Sequence, residues 1–532
     1  MVFIVRQYLA QQVDDFFGIL YNFVMNIQTS IFNFMRDFHK KDDDALAVVR
    51  GTRKIKYGEF FGEIDRVAAG LFALGVRRGD VVMIALPNII QSVVAVYAVA
   101  KLGAVASMIH PKLSSEQFER EVEIQSPKVV FLSEVNSKEF KGACKNVKVI
   151  FCSFFRYSYS GLPKATGYDV YDGDGEDAAF IMHSGGTSGE PKDVVISHRA
   201  ANAMAGNLLL HLGDKFYGEN AMLVVLPMFH GFGICVGVHA AACTNMALVL
   251  EPIFKPKKVV ESIAKNHVTT IVAVPRMVQL ILQEKGFSGK NVARLKDVFV
   301  GGDSVGPELV KEFDERMKSA GSDAVLSPGY GLTETVSVCA LTIDGYKEGS
   351  LGTPIKDVEP MIVDDDLKAL PIGEAGELLL STPQMMTGYL GDEEATNKTI
   401  VEIGGKKWVR TGDLFKLDEG GHLYFLGRKK RLVKISGMNV FPNEIERVAQ
   451  ELGFIKDCVV LESRKGGKTY IKLLVEEQLT LDEQSKIKAY IGNRLSQWSI
   501  PRVIETVDAF PRTQVGKVDV KKLQEEEMKK WS

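Results

Sequence analysis

A chain of 532 residues is long enough for about three folding units with clefts between them, so it is no small binding module. Its 65 basic and 67 acidic side chains leave a formal charge of −2, which provides no global field to recruit nucleic acid or an anionic membrane. With 46% hydrophobic and 25% charged residues, 49 Gly and 18 Pro, the composition is globular and excludes bulk disorder or a collagen-like repeat.

At the start of the chain Asp14 and Asp15 interrupt what would have to be an apolar signal core, so no export signal is read there. From Val13 to Phe38 apolar residues recur at steps of one, three and four, which predicts an amphipathic helix. Such a helix either packs on its own domain or makes a weak membrane contact through residues 13–38. The balance of Arg6, Arg36 and Lys40 against Asp14, Asp15 and Asp37 disfavours the second. Single cysteines at 144, 152, 235, 243, 339 and 458, with no C-x-x-C pair, suggest a reducing compartment. The expectation is a cytoplasmic protein, membrane-peripheral only if the first helix touches a bilayer.

Between residues 44 and 300 short β-branched runs alternate with helical patterns: Val81–Ala85 then Ile90–Leu102, Val129–Leu132, Met222–Leu226, Thr270–Val274 then Met277–Glu284, and Val298–Val300. The alternation predicts parallel sheets with helices on both faces. Past Gly349 the texture changes to short strands and Gly-bearing turns, as at Glu377–Leu380, Trp408–Arg410 and Leu423–Leu426, which predicts a small antiparallel or barrel-like unit. The charged run Arg428-Lys429-Lys430-Arg431 then precedes about 100 residues with their own β and α patterns, which places a hinge there.

Five stretches carry candidate chemistry. After the strand-like Ala178–Met182, the run from Ser184 through Gly185, Gly186, Thr187, Ser188 and Gly189 to Lys192 gathers the glycines, hydroxyls and lysine that a phosphate oxyanion wants, without matching a Walker loop. Next come Gly329-Tyr330-Gly331-Leu332-Thr333-Glu334, with a ring to stack on a base, a hydroxyl for a phosphate oxygen and a carboxylate for Mg²⁺. Taken alone, that stretch reads equally as a Gly-Tyr-Gly turn with a helix cap at Thr333. Third, Arg410-Thr411-Gly412-Asp413-Leu414 offers Asp413 to ribose hydroxyls or is a hairpin turn. The fourth stretch is Gly427 to Glu446 and the fifth is Pro511 to Asp519.

In this order and spacing the five motifs resemble the adenylate-forming superfamily of acyl-CoA synthetases, firefly luciferases and peptide-synthetase adenylation domains, from about Ile31 to the C-terminus. The resemblance implies an α/β protein: a large N-terminal AMP-binding domain of two βαβ subdomains plus a small β-barrel-like subdomain, over residues 28–429, followed by a small mobile α+β domain over 430–532. Residues 1–27 fall outside it as an extension. The implied reaction is attack of a carboxylate on the α-phosphate of MgATP, giving an acyl-adenylate and pyrophosphate, then displacement of AMP by a thiol. Such transfer needs positioning and charge neutralisation more than covalent help. By the family pattern Ser184 to Lys192 hold the β and γ phosphates, Gly302 and Asp303 meet adenine, Tyr330 stacks on it and Thr333 touches the α-phosphate. Glu334 holds Mg²⁺, Asp413 and Arg428 bind ribose, and Lys517 bridges the carboxylate and α-phosphate. Lys430 matches the hinge, whose rotation exchanges Lys517 for a hairpin lining the pantetheine tunnel, with Lys434, Ser436, Gly437 and Asn439 as its CoA contacts.

The loop departs from the family's Ser-Gly-Thr-Thr-Gly-x-Pro-Lys-Gly: Gly185 and Ser188 replace a hydroxyl and a threonine, and Asp193 stands where glycine is usual. A carboxylate there repels polyphosphate unless it turns away or meets a cation. Leu226-Pro227-Met228-Phe229-His230-Gly231 and Gly437 to Pro442 match the CoA-ligase branch, with His230 as gate to the acyl pocket and CoA as thiol. Gly231, Gly233, Gly302 and Gly331 are read as leaving room for a chain or ring. A fatty acid is the first expectation for the substrate, an aryl or steroid acid the second. A luciferase-like oxygenase and a nucleotide-binding regulatory relative are the alternatives from other classes. The partners expected are the acid, ATP and CoA, without nucleic acid, in a monomer or homodimer.

Overall fold

The structure, a computed structural model, describes residues 26–39, 43–184, 192–213, 220–244, 246–303, 305–343, 345–435, 438–466, 468–512 and 518–531. β-branched runs form two large sheets. One has eight strands in the order Gly388–Tyr389, Asp193–Ser197, Ala178–His183, Val105–Met108, Val81–Ile84, Val129–Leu132, Lys148–Cys152 and Tyr159–Ser160. Its centre is parallel, while Ala178–His183, Asp193–Ser197 and Gly388–Tyr389 form an antiparallel edge. The other has nine strands, with a parallel centre that includes Asn220–Val224, Thr270–Ala273, Asp297–Val300 and Val325–Gly331.

Between these sheets lies the main core. The helix Ile90–Lys101 is buried from Ile90 through Ala100, which explains why the window around it is apolar on every face. Among the described residues no helix is long and apolar enough to cross a membrane. All six cysteines are free and buried.

The N-terminal stripe is not one continuous helix. The helix Ile31–Phe38 begins after Ser30, whose extended backbone and side-chain oxygen, accepting from Asn33 N at 3.0 Å, cap it. Ile31, Phe34 and Met35 are buried in the main core, so this part of the stripe packs inward. Residues 1–25 of the stripe and extension lie outside the described residues.

Beyond residue 349 the long strand Lys406–Leu417 pairs antiparallel with Gly376–Ser381, Ile400–Ile403 and Leu423–Arg428, and Glu359–Val363 completes that sheet. The C-terminal domain has its own core, from Val433 to Ile491 with Ile504 against it. Its elements are a hairpin of Val433–Ile435 and Met438–Val440, a three-stranded sheet, and the helices Pro442–Gln450, Leu481–Arg494 and Val520–Met528.

Candidate nucleotide site

Parallel strands end where their backbone groups are no longer paired, and open α/β sheets bind ligands in the crevice at those carboxyl ends. Tyr330 and Gly331 close the strand Val325–Gly331, Gly301 and Gly302 follow Asp297–Val300, and Pro227 to His230 follow Asn220–Val224. These three loops are pressed together. A Cβ on Gly231 would lie 2.6 Å from the Val336 carbonyl oxygen, and one on Gly301 3.3 Å from that of Gly329.

Tyr330 lies in a strand, not in a turn, and Thr333 begins a short 3₁₀ turn, Thr333–Thr335, without capping it through its side chain. Val336 closes that turn at φ +66°, an unusual conformation for a β-branched residue that fixes the path of the motif. The Tyr330 hydroxyl donates to Asp413 Oδ2 at 2.6 Å, and its ring meets Phe415 edge-on at 4.8 Å. Asp413 also lies within a strand, where it faces Arg428 across the sheet and forms an ion pair at 2.9 Å. Its side chain is 1% exposed while that of Arg428 is 44% exposed, so the buried carboxylate holds an accessible guanidinium in place. Burial raises the Asp413 pKa to about 6, against the opposing pull of Arg428 and Tyr330 and with a further push from Glu334 and Glu377.

The structure thus brings Tyr330, Asp413 and Arg428 together. It also adds Tyr389, which no motif singles out. The Tyr389 hydroxyl donates to Glu334 Oε1 at 2.9 Å, and the Lys192 ammonium lies 4.5 Å from the centre of its ring. Around Tyr389 the segment from Gln384 to Leu390 acts as a strap. Gln384 and Met386 donate to carbonyls of Thr335, Val338 and Glu334, while Thr387 and Leu390 donate to those of Val195 and Asp193. Glu334 and the strand following the phosphate loop are therefore tied to one element.

At the base of that loop Ser184 N donates to the Lys192 carbonyl at 2.8 Å, and Lys192 N donates to Ser184 Oγ at 3.2 Å. Gly185, Gly186, Thr187, Ser188 and Gly189 lie outside the described residues, as do Ser436, Gly437 and Lys517. Asp193 is paired with His183 and accepts from Gln125. His230 is half-buried; its ring lies 4.5 Å from that of Phe229, which lies 4.3 Å from that of His110. Gly302 and Asp303 are exposed in the loop after Asp297–Val300. Lys434 and Asn439 are exposed cross-strand partners in the C-terminal hairpin, and no hydrogen bond or ion pair among the described residues links them to Tyr330, Glu334 or Asp413. Lys430 is exposed between Lys429 and Arg431.

One expectation is corrected here. The room read into the glycines is largely filled by backbone: a Cβ would meet a carbonyl oxygen at 1.6 Å on Gly331 and at 2.2 Å on Gly233, besides the contact on Gly231. These glycines let chain segments approach one another instead of opening a cavity. Of these four only Gly302, at φ +79°, would hold a Cβ without a clash, in ordinary contact with Val274 Cγ1 at 3.7 Å.

The family model described as AMP-binding enzyme matches residues 35–390. The probable CoA ligase CCL5 of Humulus lupulus is 27% identical over 489 residues, covering 88% of this chain and 87% of that protein. The 4-coumarate–CoA ligase 5 of Oryza sativa subsp. japonica is 28% identical over 487 residues, covering 86% and 87%. The O-succinylbenzoate coenzyme A synthetase of Bacillus subtilis, in complex with ATP and magnesium ion, is similar in structure with a TM-score of 0.79 at 25% identity, covering 92% of this chain and 98% of that one. ATP-bound MatB from Rhodopseudomonas palustris shares the fold with a TM-score of 0.84 at 22% identity, covering 94% and 100%.

Proposed function

The chain belongs to the AMP-binding enzyme family and is an acid–CoA ligase of the AMP-forming kind; from this we propose that it activates a hydrophobic carboxylic acid as its adenylate and passes the acyl group to CoA. The observation that carries the reading is the Tyr330–Asp413–Arg428 group at the carboxyl ends of the strands, with Glu334 held beside it by Tyr389. Tyr330 offers a ring face to adenine, while Asp413 and Arg428 offer an acceptor and a donor to ribose. Ser184 and Lys192, held together at the loop base, face the polyphosphate, with Thr333 at the α-phosphate.

Glu334 fits a magnesium ion because Tyr389 engages only Oε1, leaving Oε2 as a hard oxygen ligand. When bound with ATP, Mg²⁺ would offset the charge of the phosphates. Lys517 is assigned the charge that develops between the acid and the α-phosphate. Attack by the carboxylate oxygen forms the new P–O bond as the bond to pyrophosphate breaks; the CoA thiol then displaces AMP. Lys434, Ser436, Gly437 and Asn439 are assigned to CoA, which reaches the site after rotation about Lys430.

A compact or ring-bearing acid is favoured over a long fatty chain. Backbone occupies the space beside Gly231, Gly233 and Gly331, and relatives of this chain are named as 4-coumarate–CoA ligases. The pairing of Asp193 with His183 supports a catalytic reading over that of a regulatory, non-catalytic relative. The test is release of AMP and pyrophosphate from MgATP across aryl, fatty and amino acids, with and without CoA. Aryl acids should give the fastest CoA-dependent turnover, whereas ADP as product, or no turnover with any acid, would reject the assignment.

A further inference from the structure

Asp193 occupies the position where related loops carry glycine, yet only 10% of its side chain is exposed. Its Oδ1 lies 2.9 Å from His183 Nδ1, and its Oδ2 accepts from Gln125 Nε2 at 3.0 Å. The same Gln125 nitrogen donates to Glu121 Oε2 at 2.9 Å; both residues lie on the helix Ser115–Gln125. His183 and Asp193 are register partners across the two antiparallel strands that enter and leave the phosphate loop. The next rung toward the loop is the Ser184–Lys192 pair.

We propose that His183 and Asp193, braced by Gln125 and Glu121, form an ion-pair clamp that fixes the two ends of the phosphate loop and so positions Ser184 and Lys192 for the polyphosphate of MgATP. The proposal rests on reading this site as that of an ATP-dependent ligase. A carboxylate this deeply buried is costly without a cation, and His183 supplies one. Burial alone pulls the imidazole pKa down, but the hydrogen bond and charge of Asp193, with the charge of Glu121, outweigh it and leave it raised. Burial likewise raises the Glu121 pKa, as does the Asp193 charge, while His183 lowers it. A loop whose ends are already fixed has less freedom to lose when ligand binds, so the clamp acts on ATP affinity by preorganisation. Glu121, His183 and Asp193 also offer ligand atoms within 4.8 Å of one another. Gln125 already engages both carboxylates, and a protonated His183 offsets one of their two charges, so the His183–Asp193 pair forms without a metal.

The full chain is titrated with the magnesium complex of a non-hydrolysable ATP analogue, and steady-state constants are measured for MgATP, the acid and CoA. Asp193→Asn and His183→Gln should each weaken analogue binding about tenfold, the scale of one charge-assisted hydrogen bond. The Michaelis constants for acid and CoA should stay close to those of the unsubstituted chain, while His183→Gln, which leaves the Asp193 carboxylate without its cation, should lower the melting temperature more than Asp193→Asn does. Combining His183→Asn with Asp193→Asn restores a neutral amide pair across the same rung and should recover most of the affinity. Single variants that bind like the unsubstituted chain, effects that multiply in the double variant, or equal losses for acid and CoA would each overturn the clamp. Stoichiometric binding of Zn²⁺ alone that is lost in Asp193→Asn would also overturn it, by making the cluster a metal site. If the unsubstituted chain fails to bind the analogue at all, the ligase reading itself falls and takes the clamp with it, which distinguishes that failure from the others.

Discussion

Tyr389 and Glu334, 55 residues apart in sequence, are joined by a 2.9 Å hydrogen bond in which the phenol is the donor. Burial first, and then the Glu334 charge, push the Tyr389 pKa up, so the phenol keeps its proton throughout the neutral range. Tyr389→Phe keeps the ring beside Lys192 and removes the donor to Glu334, together with the hydroxyl's hydrogen bond to Thr399. Pyrophosphate release in a single turnover should slow about tenfold, the loss expected for one hydrogen bond to a charged group. Thioester formation from supplied acyl-adenylate should be spared. An unchanged pyrophosphate burst would remove Tyr389 from the ATP site.

Asp413 should trade stability for binding. Its folded pKa of about 6 lies above the ordinary 3.8, so the folded state holds its proton more tightly than the unfolded one. Stability therefore falls as pH rises through that window, and above pH 6 the full cost, on the order of 2–3 kcal/mol, is present. Asp413→Asn should raise the melting temperature at pH 7.5 while weakening nucleotide binding at least about tenfold. Calorimetry checks the sign: the gain should shrink as pH falls from 7 to 4. A gain that does not depend on pH would refute burial of charge as its source.

Two glycines should respond in opposite ways to one methyl group. Gly331→Ala places a carbon 1.6 Å from a backbone oxygen and should cost about 2–4 kcal/mol, with loss of ATP binding. Gly302→Ala makes only an ordinary contact, 3.7 Å from Val274, and bears the strain of φ +79°, about 1 kcal/mol. Denaturant unfolding of both variants measures the difference, and equal losses would contradict the packing described.

Lys517 follows from its motif alone. Lys517→Ala should slow adenylation by about 10²–10³-fold, as for loss of one preorganised charge donor, and leave the thiol step nearly intact. Equal loss in both half-reactions would make Lys517 a structural residue.

The parallel strands were legible because β-branched runs such as Val129–Leu132 stop at Gly, Pro and polar residues, and the structure gives that strand the same bounds. The motif residues Tyr330, Asp413 and Arg428, which the structure brings together, were singled out through the family resemblance their motifs carry. Tyr389 was not, since the strand Gly388–Tyr389 has two residues and no period to read, and its partner is remote in sequence. The glycines were misread because a missing side chain looks the same in sequence whether it admits ligand or backbone. Periodicity also carried one helix across residues 27–30, where the Ser30 cap marks a fresh start.

The ion pairs on either side of Lys430 run in opposite directions along the chain. Lys429 bonds back to Glu377 and Asp365, each at 2.9 Å, whereas Arg431 bonds forward to Glu446 at 2.6 Å. Glu377 and Glu446 are largely buried anchors, so each neighbour of Lys430 is bolted to a different body. In the rotation proposed about Lys430, twist would be confined to that one residue, as on an axle between two bearings. The proposed swing of the C-terminal domain would then stretch neither mounting, and loosening one bearing should blur its stopping points before it weakens either fold.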